Sequence, residues 1–367
     1  MVSEADPRAL PGLHLLLAGG GSGGHVFPAL AVAAAAQRRG ARVSFVGSPH
    51  GFEARLVPER GIPFHALPAR PVVGRGVVGK AQAAWTLVVS TWRGVGLARR
   101  LRPDAVLGTG GYASAAPVLG ARLAGQPVVL LEPNAEPGAA NRQLSRWAAG
   151  ACVAFRETAD ELACTSWLTG VPVREELFAI PEGLPEGEPM RVLVLGGSQG
   201  AQQLNRALPA PFALLPPGLA GVTVVHQCGE KHLEPTRAAW TQANPARAVE
   251  VVPFIADVPA AMARAHLVVS RAGAITLAEL CAAGRPSLLV PLAIAAGHQI
   301  GNAAALERTG AAVLLRGDEA TPERLAGELA ALLGDRERLT AMASAARSLA
   351  RPGAADAIVD RLAEVAA

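Results

Sequence analysis

The residues of this chain that could do chemistry cluster at glycine-rich segments. The first, Gly19-Gly20-Gly21-Ser22-Gly23-Gly24, ends at His25. A glycine loop lets backbone N–H groups approach an anion closely, and a helix N-terminus adds partial positive charge. The run fits G-x-G-x-x-G at Gly19, Gly21 and Gly24, but a dinucleotide site also wants an acid at the end of the next strand. That strand ends Val46-Gly47-Ser48-Pro49, with no acid before Glu53, which argues against a nicotinamide enzyme. His25 has two readings: a side chain that packs or caps the helix start, or a general base beside a bound anion. A helix N-terminus disfavours imidazolium, so a neutral ring able to take a proton is expected. Glu279 follows Ser270-Arg271-Ala272-Gly273-Ala274-Ile275-Thr276. It is either a solvated helix charge or a carboxylate that accepts two ribose hydroxyls. Arg271 and Arg174 could hold a diphosphate, although every basic residue except Lys80 and Lys231 is arginine, so one arginine alone says little.

The elements that must position these groups repeat. Residues 13–17 form a short apolar run suited to a buried parallel strand. The glycines follow, then an Ala-rich helical stretch over 29–39, a stop at Gly40 and a strand over 42–47. The pattern returns at 191–195, with Gly196-Gly197-Ser198-Gln199-Gly200, a helical stretch from Ala201 and a strand over 222–225. A second pair also matches: Ala105-Val106-Leu107-Gly108-Thr109-Gly110-Gly111 leads to a helix and Pro127-Val128-Val129-Leu130. Leu267-Val268-Val269-Ser270-Arg271-Ala272-Gly273 leads to a helix and Pro286-Ser287-Leu288-Leu289-Val290. Two doubly wound α/β domains in tandem are expected, linked at 180–189 or at the Gly170-Val171-Pro172 turn just before it. From Pro322 the tail reads as helix, with breaks at Gly334 and Pro352-Gly353.

Composition bounds the reading. The 367 residues exceed what one core usually holds, and a hydrophobic content of 50% with 17% charged residues excludes a disordered chain. A net charge of +4 is too small to suggest a nucleic-acid binder. Its distribution is uneven: residues 1–163 carry 17 basic and 10 acidic side chains, or +7, and the rest carries 17 and 20, or −3. Residues 60–102 hold eight basic residues and no acid. The cysteines at 152, 164, 228 and 281 lack metal-ligand or CxxC spacing, which fits a reduced, cytoplasmic setting. Glu4 and Asp6 argue against a signal peptide, and glycines and Pro28 interrupt the only long uncharged stretch near the start, against a membrane span.

Taken together, Gly20-Gly21-Ser22-Gly23-Gly24-His25-Val26-Phe27-Pro28-Ala29-Leu30-Ala31-Val32-Ala33 resembles the opening signature of the MurG glycosyltransferase family. Gly108-Thr109-Gly110-Gly111-Tyr112-Ala113-Ser114 is similar to its second glycine loop and Gly196-Gly197-Ser198-Gln199-Gly200-Ala201 to its third. Residues 270–279 resemble its donor-site helix, and His226-Gln227-Cys228-Gly229-Glu230-Lys231 and Pro253-Phe254-Ile255 fit in order. The resemblance runs from about 13 to 350.

What this implies is an α/β protein of GT-B architecture, two Rossmann-like parallel-sheet domains facing a cleft. The acceptor domain would span 1–165, rejoined by a C-terminal helix over about 345–367, and the donor domain 166–344. The reaction would be transfer of N-acetylglucosamine from UDP-N-acetylglucosamine to the C4 hydroxyl of the muramyl sugar of lipid I, giving lipid II for peptidoglycan. By similarity, Ile255 meets the uracil through its backbone and Glu279 the ribose. Ser198, Ala274, Ile275 and Thr276 hold the donor diphosphate, Arg174 a phosphate or the sugar, and Asn134 and Gln299 the sugar hydroxyls. Ser22, Gly23 and Gly24 close on the reaction centre, and Gly20, Gly21, Gly110 and Gly111 face the acceptor diphosphate. His25 is the chosen base. No cofactor and no metal are expected, since no Asp/His cluster suggests one; helix N-termini and arginine would stabilise departing UDP.

The chain departs from the family at three points. Leu131-Glu132-Pro133-Asn134 stands where His-Glu-Gln-Asn is usual, so a backbone donor is missing at Pro133; His298-Gln299 replaces Gln-Gln; and Cys228 replaces a common Thr. The acid-free stretch interleaves Arg70, Arg75, Lys80 and Arg93 with Val72, Val73, Val77, Val78, Trp85, Leu87, Val88 and Trp92. Such a strip suits an anionic membrane surface, or else it is an amphipathic helix packed on the core. A peripheral location on the cytoplasmic face of the bacterial inner membrane follows from the first reading. A UDP-N-acetylglucosamine 2-epimerase of the same fold, a nicotinamide dehydrogenase and a nonenzymatic sugar-nucleotide or membrane-surface binder are the alternatives.

Overall fold

The computed structural model describes all residues except 1–7, 71–75, 188, 198–199, 244–246, 292–296 and 318, with the side chains of Val77 and Gly297 also set aside. Ser198, Arg75, Val72 and Val73, and the side chain of Val77, therefore lie outside what is described. The chain divides into two compact units, residues 1–172 with 353–367, and residues 173–352.

In the first unit the strands are β1 (His14–Ala18), β2 (Arg42–Gly47), β3 (Phe64–Ala66), β4 (Ala105–Gly108), β5 (Val128–Glu132), β6 (Gly150–Val153) and β7 (Ser166–Leu168). They form one parallel sheet in the order β3-β2-β1-β4-β5-β6-β7. Its helices are α1 (Gly23–Arg38), α2 (Glu53–Leu56), α3 (Val77–Leu101), α4 (Ala115–Leu123) and α5 (Ala139–Leu144). The second unit holds β8 (Arg191–Leu195), β9 (Thr223–Gln227), β10 (Val249–Val252), β11 (Leu267–Ser270), β12 (Ser287–Leu289) and β13 (Ala312–Leu314), parallel in the order β10-β9-β8-β11-β12-β13. Its helices are α6 (Gln202–Ala207), α7 (Pro209–Ala213), α8 (Leu233–Ala243), α9 (Val258–Ala263), α10 (Ala274–Ala283), α11 (Gly297–Arg308), α12 (Pro322–Leu333) and α13 (Arg336–Ser348). The last helix, α14 (Ala354–Ala366), belongs to the first unit.

Both sheets reverse strand order at the same place, between β1 and β4 and between β8 and β11. Ligands of open α/β sheets bind outside the carboxyl ends of strands at such a switch point. The segments that drew attention in the sequence follow β1, β4, β8 and β11, so each pair flanks one switch point. The internal repeat is thus a repeat of strand order with its switch point.

The strands read as continuous apolar runs because both sheet faces are covered. Side chains alternate: Leu15 and Leu17 pack with α1 and with Ile358, Val359 and Leu362 of α14, while Leu16 and Ala18 pack with Leu97 and Ala98 of α3 and Val118 and Ala121 of α4. Leu15, Leu16 and Leu17 are essentially inaccessible, each contributing on the order of 2 kcal/mol. Ion pairs Arg39–Asp360 at 2.8 Å and Arg38–Asp356 at 3.5 Å tie the end of α1 to α14, and the Arg361 guanidinium lies 5.6 Å from the Trp167 ring centroid.

The division differs from the expected 165/166 and 344/345. β7 hydrogen-bonds to β6 as the edge of the first sheet, which carries the first unit on to Pro172, at the Gly170-Val171-Pro172 turn. On the return, α13 buries Leu339 and Met342 in the second unit's core, and only after Pro352-Gly353, with Gly353 at φ +70°, does the chain rejoin the first.

Candidate active site

In the first unit two glycine loops pack backbone against backbone around one imidazole. Gly20, Gly21, Gly110 and Gly111 all have positive φ. A Cβ on Gly111 would lie 2.8 Å from the Gly20 carbonyl oxygen and 2.9 Å from His25 Cδ2, and one on Gly21 would lie 2.5 Å from Tyr112 Cε1. Glycine is needed here for closeness as well as for φ. His25 sits in the first turn of α1, whose N-cap, Ser22, is extended and makes no side-chain cap. His25 Nδ1 lies 2.8 Å from the Thr109 carbonyl oxygen, and the Thr109 hydroxyl donates back to the His25 carbonyl at 3.0 Å. A carbonyl only accepts, so Nδ1 carries a proton, and a ring with that single proton has its lone pair on Nε2.

Glu132, at the end of β5, is buried. Its carboxylate accepts from Asn134 N (3.0 Å), Asn134 Nδ2 (2.9 Å), Gly138 N (2.9 Å) and Asn141 Nδ2 (2.9 Å). These donors surround the carboxylate although Pro133 supplies none. Asn134, expected at a sugar hydroxyl, has its amide nitrogen on Glu132. Gly21 N–H, expected to face the acceptor diphosphate, donates to Glu53 at 3.2 Å. Composition and spacing pointed to neither Glu132 nor Asn141, because only the fold brings Asn141 Nδ2 both to Glu132 and against Gly110, whose added Cβ would lie 3.4 Å from it. A charged residue at a strand's carboxyl end was the available signal.

In the second unit, Arg174 Nη1 lies 3.0 Å from Glu279 Oε1. Burial pushes the Glu279 carboxyl above its usual range, and the Arg174 charge pulls it back down. Ala274, Ile275 and Thr276 form the first turn of α10, whose N-cap Gly273 has no side-chain cap; their N–H groups are the orphan donors of a helix start. Arg271 Nη2 donates to the Gly196 carbonyl at 3.3 Å, joining the loops after β8 and β11, and burial lowers its pKa. Ile255 is half-buried beside exposed Phe254, and Gln299 lies on α11. A cavity of about 620 Å³ runs along β8–β10 from Arg191 to Ile255; most of its lining is strand, whereas the orphan donors are at α10.

A buried network absent from the sequence reading ties α8, β9 and α6 to the segment just after β9. Trp240 Nε1 donates to His226 Nδ1 at 3.0 Å, His226 Nε2 donates to Asn205 Oδ1 at 3.0 Å, and Asn205 Nδ2 donates to the Cys228 carbonyl at 2.9 Å. Trp only donates, which sets every direction in the chain. Burial pulls the His226 pKa down to about 4.

The basic strip forms α3. Trp85 and Trp92 are 71% and 68% exposed, with Val78 and Val88 also exposed, while Ala83, Val95, Leu97 and Ala98 are buried. The helix thus has an inner face on the core and an outer apolar stripe at 78, 85, 88 and 92; Lys80, in its first turn, is exposed as well. Packing on the core does not account for the outer stripe. No helix among the described residues is long and apolar enough to cross a membrane.

Comparison with known proteins agrees with this layout. Residues 15–153 match the glycosyltransferase family 28 N-terminal domain and residues 191–358 its C-terminal domain. The chain is 44% identical to the UDP-N-acetylglucosamine–N-acetylmuramyl-(pentapeptide) pyrophosphoryl-undecaprenol N-acetylglucosamine transferase of Syntrophotalea carbinolica, covering 95% of this chain and 97% of that one. It is 46% identical to the protein of the same name from Xanthomonas axonopodis pv. citri, covering 98% and 83%. The crystal structure of Acinetobacter baumannii MurG superposes with a TM-score of 0.81 at 35% identity, covering 96% and 99%. A UDP-N-acetylglucosamine 2-epimerase from Listeria monocytogenes gives 0.68 at 15% identity, covering 95% of each chain, a likeness of fold alone. The chain has the two parallel-sheet α/β domains of the GT-B class and belongs to glycosyltransferase family 28, within it to the MurG glycosyltransferases.

Proposed function

We propose that this chain transfers N-acetylglucosamine from UDP-N-acetylglucosamine to the C4 hydroxyl of the muramyl sugar of lipid I, yielding lipid II and UDP. The observation that carries the reading is the 44% identity, over 95% of the chain, to a transferase named for this donor and acceptor. The epimerase likeness, at 15% identity, supports only the shared fold.

His25 Nε2, unprotonated in the tautomer that Thr109 selects, takes the proton of the acceptor hydroxyl. The oxygen attacks the anomeric carbon from the face opposite UDP. The new C–O bond forms as the sugar–phosphate bond breaks, and the electron pair leaves on the β-phosphate oxygen. One displacement converts the α-linked donor to a β-linked product. The charge that develops on UDP falls to the N–H groups of Ala274, Ile275 and Thr276 and to Arg271 and Arg174. Glu279 accepts the ribose hydroxyls, Ile255 meets the uracil, and Asn134 and Gln299 meet the sugar. The α3 stripe, with Lys80, Trp85 and Trp92, rests on the anionic cytoplasmic membrane surface that carries the lipid acceptor.

Labelled UDP-N-acetylglucosamine incubated with and without a lipid I analogue tests the reading. Acceptor-dependent release of UDP, undiminished by EDTA, is the expected result. Epimerised sugar, or no turnover, overturns transfer; loss in EDTA with rescue by magnesium overturns the metal-free mechanism.

A further inference from the structure

Glu53 has no part in the reaction as written, yet it is one of the most enclosed charged residues of the first unit. Its side chain is wholly buried at the start of α2, and among the described residues it makes no ion pair. Its partners are backbone donors from two different loops. Oε1 accepts from Ser48 N at 2.9 Å, in the segment after β2. Oε2 accepts from Gly21 N at 3.2 Å, in the segment after β1. The surrounding backbone is cut to the shape of this carboxyl. A Cβ on Gly20 or Gly51 would overlap it, and one on Gly47 would lie 2.6 Å from Glu53 Cγ. A carboxylate taken out of water without a counter-charge persists only where fixed dipoles replace the lost hydration.

From these contacts we infer that Glu53 is the positioning residue of the acceptor-side glycine loop, and through it of His25. The path is short. Glu53 holds Gly20 and Gly21, and the Gly20 carbonyl packs against Gly111 as closely as a glycine allows. Gly111 in turn lies against the His25 ring. A shift of the Gly20-Gly21 turn therefore moves the wall behind the imidazole. The same contacts sort the loop's donors. Gly21 N–H turns inward to Glu53, and the N–H groups of His25 and Val26 return to the Ser22 carbonyl. The donors left at the start of α1 for an acceptor diphosphate are those of Gly23 and Gly24. Glu53 thus excludes the anion from the Gly20-Gly21 side by its own charge and directs it to the helix end. The inference rests on the transfer reading for its kinetic consequences and on geometry alone for the loop.

The test compares wild-type chain with Glu53→Gln and Gly51→Ala. A glutamine keeps the shape but offers one acceptor and one NH₂ group to two N–H donors, so one of the two loops loses its anchor. An alanine at 51 would come within 2.2–2.4 Å of the Glu53 carboxylate, so the carboxylate is displaced from its donors. Both variants are expected to lower kcat, or raise the KM for a lipid I analogue, about tenfold or more. The KM for UDP-N-acetylglucosamine and the Kd for UDP stay within about twofold, and amide exchange over residues 19–25 speeds up. Wild-type acceptor kinetics with unchanged exchange in Glu53→Gln overturns the inference, and so does an equal loss of donor and acceptor affinity. If the wild-type chain does not turn over the lipid I analogue, the transfer reading fails, and the exchange comparison still decides whether Glu53 holds the loop.

Discussion

Arg174 and Glu279 pair at 3.0 Å across 105 residues of sequence, and the pairing joins the two charges assigned to opposite ends of one nucleotide. Glu279 is largely buried and Arg174 half-exposed. The arginine offsets part of the desolvation of the carboxylate; under the proposed function, ribose hydroxyls would take its place and release the guanidinium toward phosphate. Such an exchange keeps the buried carboxylate satisfied in both states.

For UDP binding, Glu279→Ala removes the acceptor of the ribose hydroxyls and is expected to weaken UDP about 10- to 100-fold, or about 1.4–3 kcal/mol. Isothermal calorimetry reads this directly, and unchanged affinity would remove Glu279 from the ribose. Because burial raises the Glu279 pKa, the carboxylate is lost earlier than usual as pH falls, and UDP affinity should decline on the acid side while Arg174→Ala moves that decline to higher pH.

For the base, His25→Ala is expected to cut kcat by about 100- to 10,000-fold with the Kd for UDP unchanged. Steady-state transfer to a lipid I analogue checks it. Nearly normal turnover would take His25 out of that role.

For the membrane stripe, the double variant Trp85→Ser with Trp92→Ser should abolish flotation on vesicles of phosphatidylglycerol and phosphatidylethanolamine. Lys80→Glu alone should make binding weaker and less sensitive to salt. Wild-type binding that ignores both anionic lipid and ionic strength would defeat the assignment. All three residues are exposed, so folding is expected to survive each change.

For stability, the His226 pKa falls to about 4 against about 6.5 in an unfolded chain. Between these values the unfolded state binds the proton and the folded state does not, so stability rises with pH across that window. The contribution, on the order of 3 kcal/mol, is complete above about pH 6.5 and lost as pH approaches 4. Thermal melts from pH 4 to 7 should show the slope. His226→Gln should flatten it, and an unaltered slope would mean that another group sets the acid limit.

The bounds of β2 and β8 were legible residue by residue, because fully buried parallel strands read as apolar runs and glycine marks where each one ends. The repeat of strand, glycine loop, helix and strand likewise follows from local pattern, and so do the Gly334 and Pro352-Gly353 breaks. The His25 and Glu279 positions were marked in the sequence because each sits at or just inside a helix that follows a glycine segment. Other features were beyond such reading. Glu53 looked like an acid in the wrong place for a dinucleotide, and only the packing of the loops after β1 and β2 turns it into an anchor. Glu132 with Asn141, and His226 with Asn205 and Trp240, are polar contacts between segments 9 to 21 residues apart. The placement of β7 moved the domain division to Pro172, and the outer stripe of α3 separated from its core-facing side only when the other face was seen to be filled. Short-range pattern determines which elements form, since backbone preference and apolar periodicity act over a few residues. Which polar groups meet is decided by the fold, because a buried donor must find its acceptor wherever the chain's topology delivers one.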